Sequence, residues 1–168
     1  SLGPEYPGLA LALNNLAVFF YNQGSYAEAR PLYERSLAIR EKALGPDHPN
    51  VAYSLGNLAL LLEALGSHTE ARPLYERSLA ISEKALGRGH PDVARDLTNL
   101  ALFFYDMGSY TNARPYYEQG LGANLRHLSQ NMPSMTEVER FQYLATKTGP
   151  EPLLLNLVAM RGEGPKED

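Results

Sequence analysis

The chain has 168 residues, 44% hydrophobic and 20% charged, with a formal net charge of -4 and a mean hydropathy of -0.31. That balance supports one ordinary folded domain or a short solenoid rather than a disordered chain, and it argues against a nucleic-acid partner, which would need clustered cations to release phosphate counterions. The absence of Cys removes disulfides, zinc-thiolate sites and thiol nucleophiles together.

In chain order, the first signal is self-similarity. The stretch Leu44 to Ala85, moved back by 42 residues, falls on Leu2 to Ala43 with 26 of 42 positions identical, and moved forward it falls on Leu86 to His127 with more drift. A fixed period of this length marks a repeat array, so the expected units are 2–43, 44–85 and 86–127. Each reads as two helices and a turn. Pro7, Pro49 and Pro91 stand at one phase and suit a first helical position, where the missing N–H costs nothing. Apolar residues follow at helical spacing, as in Leu13, Leu16, Ala17 and Phe20, then Leu55, Leu58, Ala59 and Leu62. Gly24, Gly66 and Gly108 close these first helices, which we place at about 7–23, 49–65 and 91–107.

The second helix of each unit opens at Ser25 with Glu28 and at Ser67 with Glu70, the S-x-x-E spacing of a reciprocal cap, and more weakly at Ser109 with Asn112. Pro31, Pro73 and Pro115 follow inside it, where each removes a helical hydrogen bond and is expected to bend the helix slightly.

The order Leu13, Leu16, Ala17, Gly24, Tyr26, Ala29, Tyr33, Leu37 resembles a tetratricopeptide repeat, and the 42-residue length with LNNLA and LGPDHPNVA is similar to the extended form in kinesin light chains and many bacterial arrays. The resemblance covers residues 2 to about 127. It implies an all-α fold, a right-handed superhelix of three helix pairs closed by C-terminal capping helices. Ser36, Ser78 and Gly120 depart from the Ala that the family usually carries there, and a mild loosening is expected.

Beyond residue 127 the repeat stops. Ser134 and Glu137 are expected to open a further helix burying Val138, Phe141, Tyr143 and Leu144. Gly149, Pro150 and Pro152 break it, Leu153 to Met160 forms a last short apolar helix, and 162–168 is a frayed tail. The segment Asn124 to Thr146 also resembles the connector that precedes a caspase-like CHAT peptidase in bacterial proteins, which implies a regulatory or sensor fragment of a larger signalling protein. In that reading the Leu153–Met160 face packs on the missing domain, and in the fragment alone it offers a homodimer contact.

Chemistry is hard to find. His48 and His90 recur at a helix start, His68 stands where Tyr26 and Tyr110 do, and His127 is isolated; no metal spacing or phosphate loop is present. No enzyme activity, cofactor or metal is therefore expected. The apolar run Leu58 to Leu62 is far short of the roughly 20 residues a membrane span needs. With no signal-like start, a cytoplasmic location is expected, and Ser1 in place of Met suggests a trimmed piece.

The resemblance places the first helix of each pair on a concave groove. It assigns peptide contact to Leu11, Asn14, Asn15, Val18, Tyr21 and Asn22, then Tyr53, Gly56, Asn57, Leu60, Glu63 and Ala64, then Arg95, Thr98, Asn99, Leu102, Tyr105 and Asp106. Asn15, Asn57 and Asn99 share one phase, and an amide with both donor and acceptor can pair with any backbone peptide group, or else tie its own helix to the neighbouring repeat. Tyr21, Tyr53 and Tyr105 add amphipathic contact area, or else pack between repeats. Arg95 is the only Lys or Arg among these first helices, whereas Glu63 and Asp106 are acidic. A carboxylate clamp would need several converging cations. The expected partner is a protein or peptide, neutral to mildly basic.

Overall fold

The computed structural model describes residues 7–148, and every element in that span is a helix: α1 (Pro7–Asn22), α2 (Tyr26–Leu44), α3 (Pro49–Ala64), α4 (His68–Leu86), α5 (Pro91–Asp106), α6 (Tyr110–Asn131) and α7 (Glu137–Thr148). The expected apolar helix at Leu153–Met160, with the dimer contact drawn from it, lies outside the described residues, as do the side chains of Phe141 and Leu144. The chain divides into two compact units, Ser1–Gly87 and Arg88–Asp168. The first contains the hairpins α1–α2 and α3–α4, with α2 packed on α3; the second contains the hairpin α5–α6, with α7 against α6.

The A helices α1, α3 and α5 each start on the phased proline. His48 and His90 are their N-caps, with each ring Nδ1 accepting the backbone N–H two residues on, from Asn50 and Asp92, at 3.1 Å. That satisfies one of the four N–H groups a helix start leaves open. At the other end, Gly66 has φ 73 and donates to the Glu63 carbonyl, while Ser67 donates to the Leu62 carbonyl, both at 2.8 Å. This pair of bonds needs a left-handed residue at the glycine. It repeats at Gly24 and Gly108 with φ 75 and 71.

The same turn overrides the expected reciprocal caps. Ser25, Ser67 and Ser109 are the N-caps of α2, α4 and α6, but none makes a side-chain cap hydrogen bond. The backbone N–H that Glu28 or Glu70 would have to accept is already donated to Phe20 or Leu62 of the preceding helix. A complete box does form at α7, two residues later than the expected Ser134 and Glu137: Thr136 N–H donates to Glu139 Oε2 at 2.7 Å, and Glu139 N–H donates to Thr136 Oγ1 at 3.3 Å. Val138, expected inside, is instead 65% exposed on this helix.

Pro31, Pro73 and Pro115 lie inside α2, α4 and α6 and are exposed. The carbonyls they deprive of a helical donor belong to Ala27, Thr69 and Thr111, which are exposed too, so water can replace the missing bond. Around them, Arg30–Glu34, Arg72–Glu76 and Arg114–Glu118 repeat as pairs four residues apart at 2.7 to 2.8 Å, each worth only a few tenths of a kcal/mol at such exposure, ~0.3–0.5.

The A helices meet their hairpin partners α2, α4 and α6, the B helices, through small residues. Ala17 with Ala29, and Ala59 with Ala71, are fully buried. Ser36 and Ser78 correct the expected loosening: each hydroxyl donates at 2.7 Å across the hairpin to a carbonyl of the A helix, Ala10 or Ala52. In α5–α6 the equivalent carbonyl, that of Ala94, accepts at 2.8 Å from Thr98 on its own helix. Gly120 then leaves room, since a Cβ there would sit 3.2 Å from Thr98 Oγ1 and 3.3 Å from the Ala94 carbonyl oxygen. The departures from Ala are therefore a hydrogen bond in two hairpins and a close approach in the third.

Candidate peptide-binding faces

Along each A helix one stripe recurs at spacings of four, three and four residues: Leu11, Asn15, Val18 and Asn22 on α1, Tyr53, Asn57, Leu60 and Ala64 on α3, Arg95, Asn99, Leu102 and Asp106 on α5. Such spacing puts all four on one helix face. On α1 and α3 this face is open, with Leu11, Asn15, Tyr53 and Leu60 exposed and Val18 and Asn57 half-buried.

Asn14, named among the contact residues, is 1% exposed and cannot meet a ligand directly. Its Oδ1 accepts the Asn57 amide at 3.0 Å, joining α1 to α3. The bond spends an Asn57 amide N–H on the neighbouring hairpin, and Asn57 itself is half-buried. Gly56 is buried at the corresponding phase of α3, where a Cβ would stand 3.7 Å from Ser78 Oγ.

The aromatic members are held from the side. Tyr21 lies 5.4 Å from the Tyr26 ring, and burial, followed by Tyr26 and Glu63, raises its phenol pKa. Tyr53 lies over Arg40 of α2, whose guanidinium carbon is 5.7 Å from the ring centroid. Arg40 stands behind this face, a neighbour that reading the A helices alone misses. It is buried, its Nη1 donates to Ser54 Oγ at 2.8 Å and to the Asn50 carbonyl at 2.9 Å, and desolvation lowers its pKa. The signal in the sequence is the break in the repeat, since Ser82 and Asn124 stand at the Arg40 phase. Behind the face, burial and then the neighbouring Tyr53 and Tyr21 push the Tyr33 phenol up to about 12.

Glu63 is half-buried, and its Oε2 accepts the Tyr75 hydroxyl at 2.6 Å. On α5 the lone guanidinium is neutralised: Arg95 donates to Asp92 at 2.8 Å and to the buried Asp96 at 3.0 Å. Asn99 and Leu102 are half-buried, Asp106 is exposed, and Tyr105 lies 5.2 Å from Tyr110. Thr98 is committed to the Ala94 carbonyl. Among the described residues no group of three or more His, Asp or Glu could hold a metal ion, and no helix is long and apolar enough to cross a membrane. The arrangement can supply amide hydrogen bonds and apolar or aromatic contact, with an acidic bias.

The sequence profile of the tetratricopeptide repeat family matches residues 8–84 and again 53–124. No curated protein matches. Among solved structures the chain is similar to BtubC (BKLC) from P. vanneervenii, at 21% identity and a TM-score of 0.67, over 96% of this chain and 68% of that one. It is also similar to a Podosopora anserina chain described as a kinesin light chain with nearly identical TPR-like repeats, at 26% identity and a TM-score of 0.68, over 92% of this chain and 72% of the other. A variant of that second protein gives 28% identity and a TM-score of 0.65, over 79% of this chain and 60% of it. These likenesses agree with an all-α fold of repeated helical hairpins.

Proposed function

The chain belongs to the tetratricopeptide repeat family, and on that premise we propose that it is a non-catalytic protein-interaction scaffold whose A-helix faces hold an extended peptide or a partner helix. The observation that carries this reading is the Asn57–Asn14 bond, 3.0 Å long, behind an open stripe. Asn14 takes up one donor of the half-buried Asn57 amide, and the remaining amide groups of Asn57 and of the exposed Asn15 are suited to a backbone peptide group of any sequence. Leu11, Val18, Tyr53 and Leu60 flank the amides and offer apolar contact to side chains on either side of that peptide group.

The preferred ligand is neutral to mildly basic. The α3 face carries Glu63 and no cation, Asp92 and Asp106 outnumber Arg95 on α5, and Arg40 is sunk beneath the Tyr53 ring with Nη1 turned to Ser54 and Asn50. An acidic peptide would meet carboxylates with no exposed cation pair to receive it.

The test uses peptides selected on the intact chain from a random extended library. Asn57→Ala combined with Tyr53→Ala should weaken them at least about tenfold, a loss of roughly 1.4 kcal/mol, with little change in melting temperature. Parallel loss of binding and of folding would show instead that these residues serve the repeat stack.

A further inference from the structure

Position 63 breaks a pattern that the other two hairpins keep. The phase holds Tyr21 on α1 and Tyr105 on α5, whose rings lie 5.4 and 5.2 Å from those of Tyr26 and Tyr110; on α3 it holds Glu63, and His68 stands in place of the second tyrosine. The exchange carries two costs. Glu63 is half-buried in the last turn of α3, where desolvation disfavours its charge and the negative end of the helix opposes it. Nor does the tyrosine of the following helix require a carboxylate. Tyr75 donates to Glu63 Oε2 at 2.6 Å, yet Tyr33, at the same phase of α2 and 3% exposed, has no carboxylate bonded to its hydroxyl among the described residues. A local rule broken at a cost to stability is the mark of a functional position.

The surroundings of Glu63 suit a cation. Helix α1 contains no Asp, Glu, Lys or Arg, and Glu63 is the only one in α3, so neither A helix brings a positive charge to it. The Asn57–Asn14 bond holds α3 beside α1, and Glu63 lies close enough for its charge to add, after burial and Tyr26, to the rise in the Tyr21 phenol pKa. Three residues earlier on the two helices stand Val18, half-buried, and Leu60, 36% exposed. Residues three apart share a helix face and are separated by about 4.5 Å of rise. Two rows result, apolar at Val18 and Leu60, then phenol and carboxylate at Tyr21 and Glu63. A cation on an alkyl stem uses that order, with the stem along carbon and the head between an aromatic ring and a negative charge.

We propose, on the reading that the A-helix faces hold the peptide, that this patch is a subsite for a lysine side chain of that peptide, its stem on Val18 and Leu60 and its ammonium at Glu63 beside Tyr21. Lysine fits better than arginine because the Tyr75 hydroxyl already engages Oε2, and a guanidinium fork gains its advantage by taking both carboxylate oxygens.

The test starts from a neutral extended peptide selected on the intact chain, in which one residue at a time is replaced by lysine or by norleucine, which keeps the stem and drops the charge. Calorimetry should find one position at which lysine binds about five- to tenfold more tightly than norleucine, with arginine between them. Glu63→Gln should bring the lysine and norleucine peptides level, and so should Glu63→Tyr, which restores the residue that the other two hairpins carry. Glu28→Gln, at an exposed carboxylate of α2, should preserve the difference. A neutral peptide that binds, with no position at which lysine exceeds norleucine, overturns the subsite alone, as does a lysine advantage that survives Glu63→Gln. If no neutral peptide binds, the scaffold reading fails and the subsite falls with it. Should Glu63→Gln lose helical signal, Glu63→Tyr decides the matter.

Discussion

The Tyr75 hydroxyl donates to Glu63 at 2.6 Å, so a half-buried carboxylate of the α3–α4 hairpin is held by a tyrosine that is itself buried. The bond fixes where the negative charge stands without neutralising it. Glu63→Gln keeps an acceptor for the phenol and removes only the charge. By calorimetry with a matched pair of basic and acidic extended peptides, the unaltered chain should favour the basic one, and Glu63→Gln should narrow the gap about three- to tenfold, with a weaker response to salt. Tighter binding of the acidic peptide to the unaltered chain would refute the charge assignment.

Ser78 and Gly120, at one repeat position, each lose stability when changed, for opposite reasons. Ser78→Ala deprives the buried Ala52 carbonyl of its cross-hairpin donor and should cost on the order of 1 kcal/mol. Gly120→Ser forces a side chain to within about the 3.2–3.3 Å already measured to Thr98, Leu97 and the Ala94 carbonyl, and should cost about 1–3 kcal/mol through overpacking. Thermal melts followed by circular dichroism distinguish the two, and pairing Gly120→Ser with Thr98→Gly should recover most of the second loss. If the paired variant is no better than Gly120→Ser alone, the compensation we describe does not operate.

Alkaline pH should unfold the chain through its buried phenols. Tyr33 has a folded value pushed up to about 12 from an ordinary 10.0, chiefly by burial. A group raised in this way favours its protonated form in the fold, so its contribution is complete below pH 10 and drains away as pH rises toward 12. Tyr117 and Tyr21 are shifted in the same direction, again first by burial. Melting temperature should therefore be flat below pH 9 and fall steeply from 10 upward, and Tyr33→Phe should retain on the order of 1–2 kcal/mol more of its own neutral-pH stability at pH 12. A Tyr33→Phe variant that loses stability with alkali as steeply as the unaltered chain would contradict this.

The fold was legible because the repeat writes it out: proline, apolar period and glycine recur at one phase, and the A helices close at Asn22, Ala64 and Asp106, within one residue of the expected ends. Details that depend on a neighbour's backbone were not legible. The S-x-x-E spacing at Ser25 and Ser67 looks like a cap, yet the serine N–H is already spent on the previous helix, and only three-dimensional turn geometry reveals that debt. Asn14 has the composition of a contact residue and the burial of a core one, because its partner lies in another repeat, 43 residues away. Arg40 sits on a B helix and reaches the A-helix face only through packing. In each case local pattern fixes the element, whereas tertiary contact decides what the side chain does.

The hydroxyl that serves the A-helix carbonyl comes from Ser78 on one strut of the second hairpin and from Thr98 on the opposite strut of the third, each facing a glycine, Gly56 or Gly120. Recombination between these two repeats therefore keeps each arrangement only where the joint falls outside the stretch between the glycine and the hydroxyl. A crossover inside that stretch would yield one chimera with two glycines and a stranded carbonyl, and a reciprocal one with two hydroxyls competing for a single acceptor.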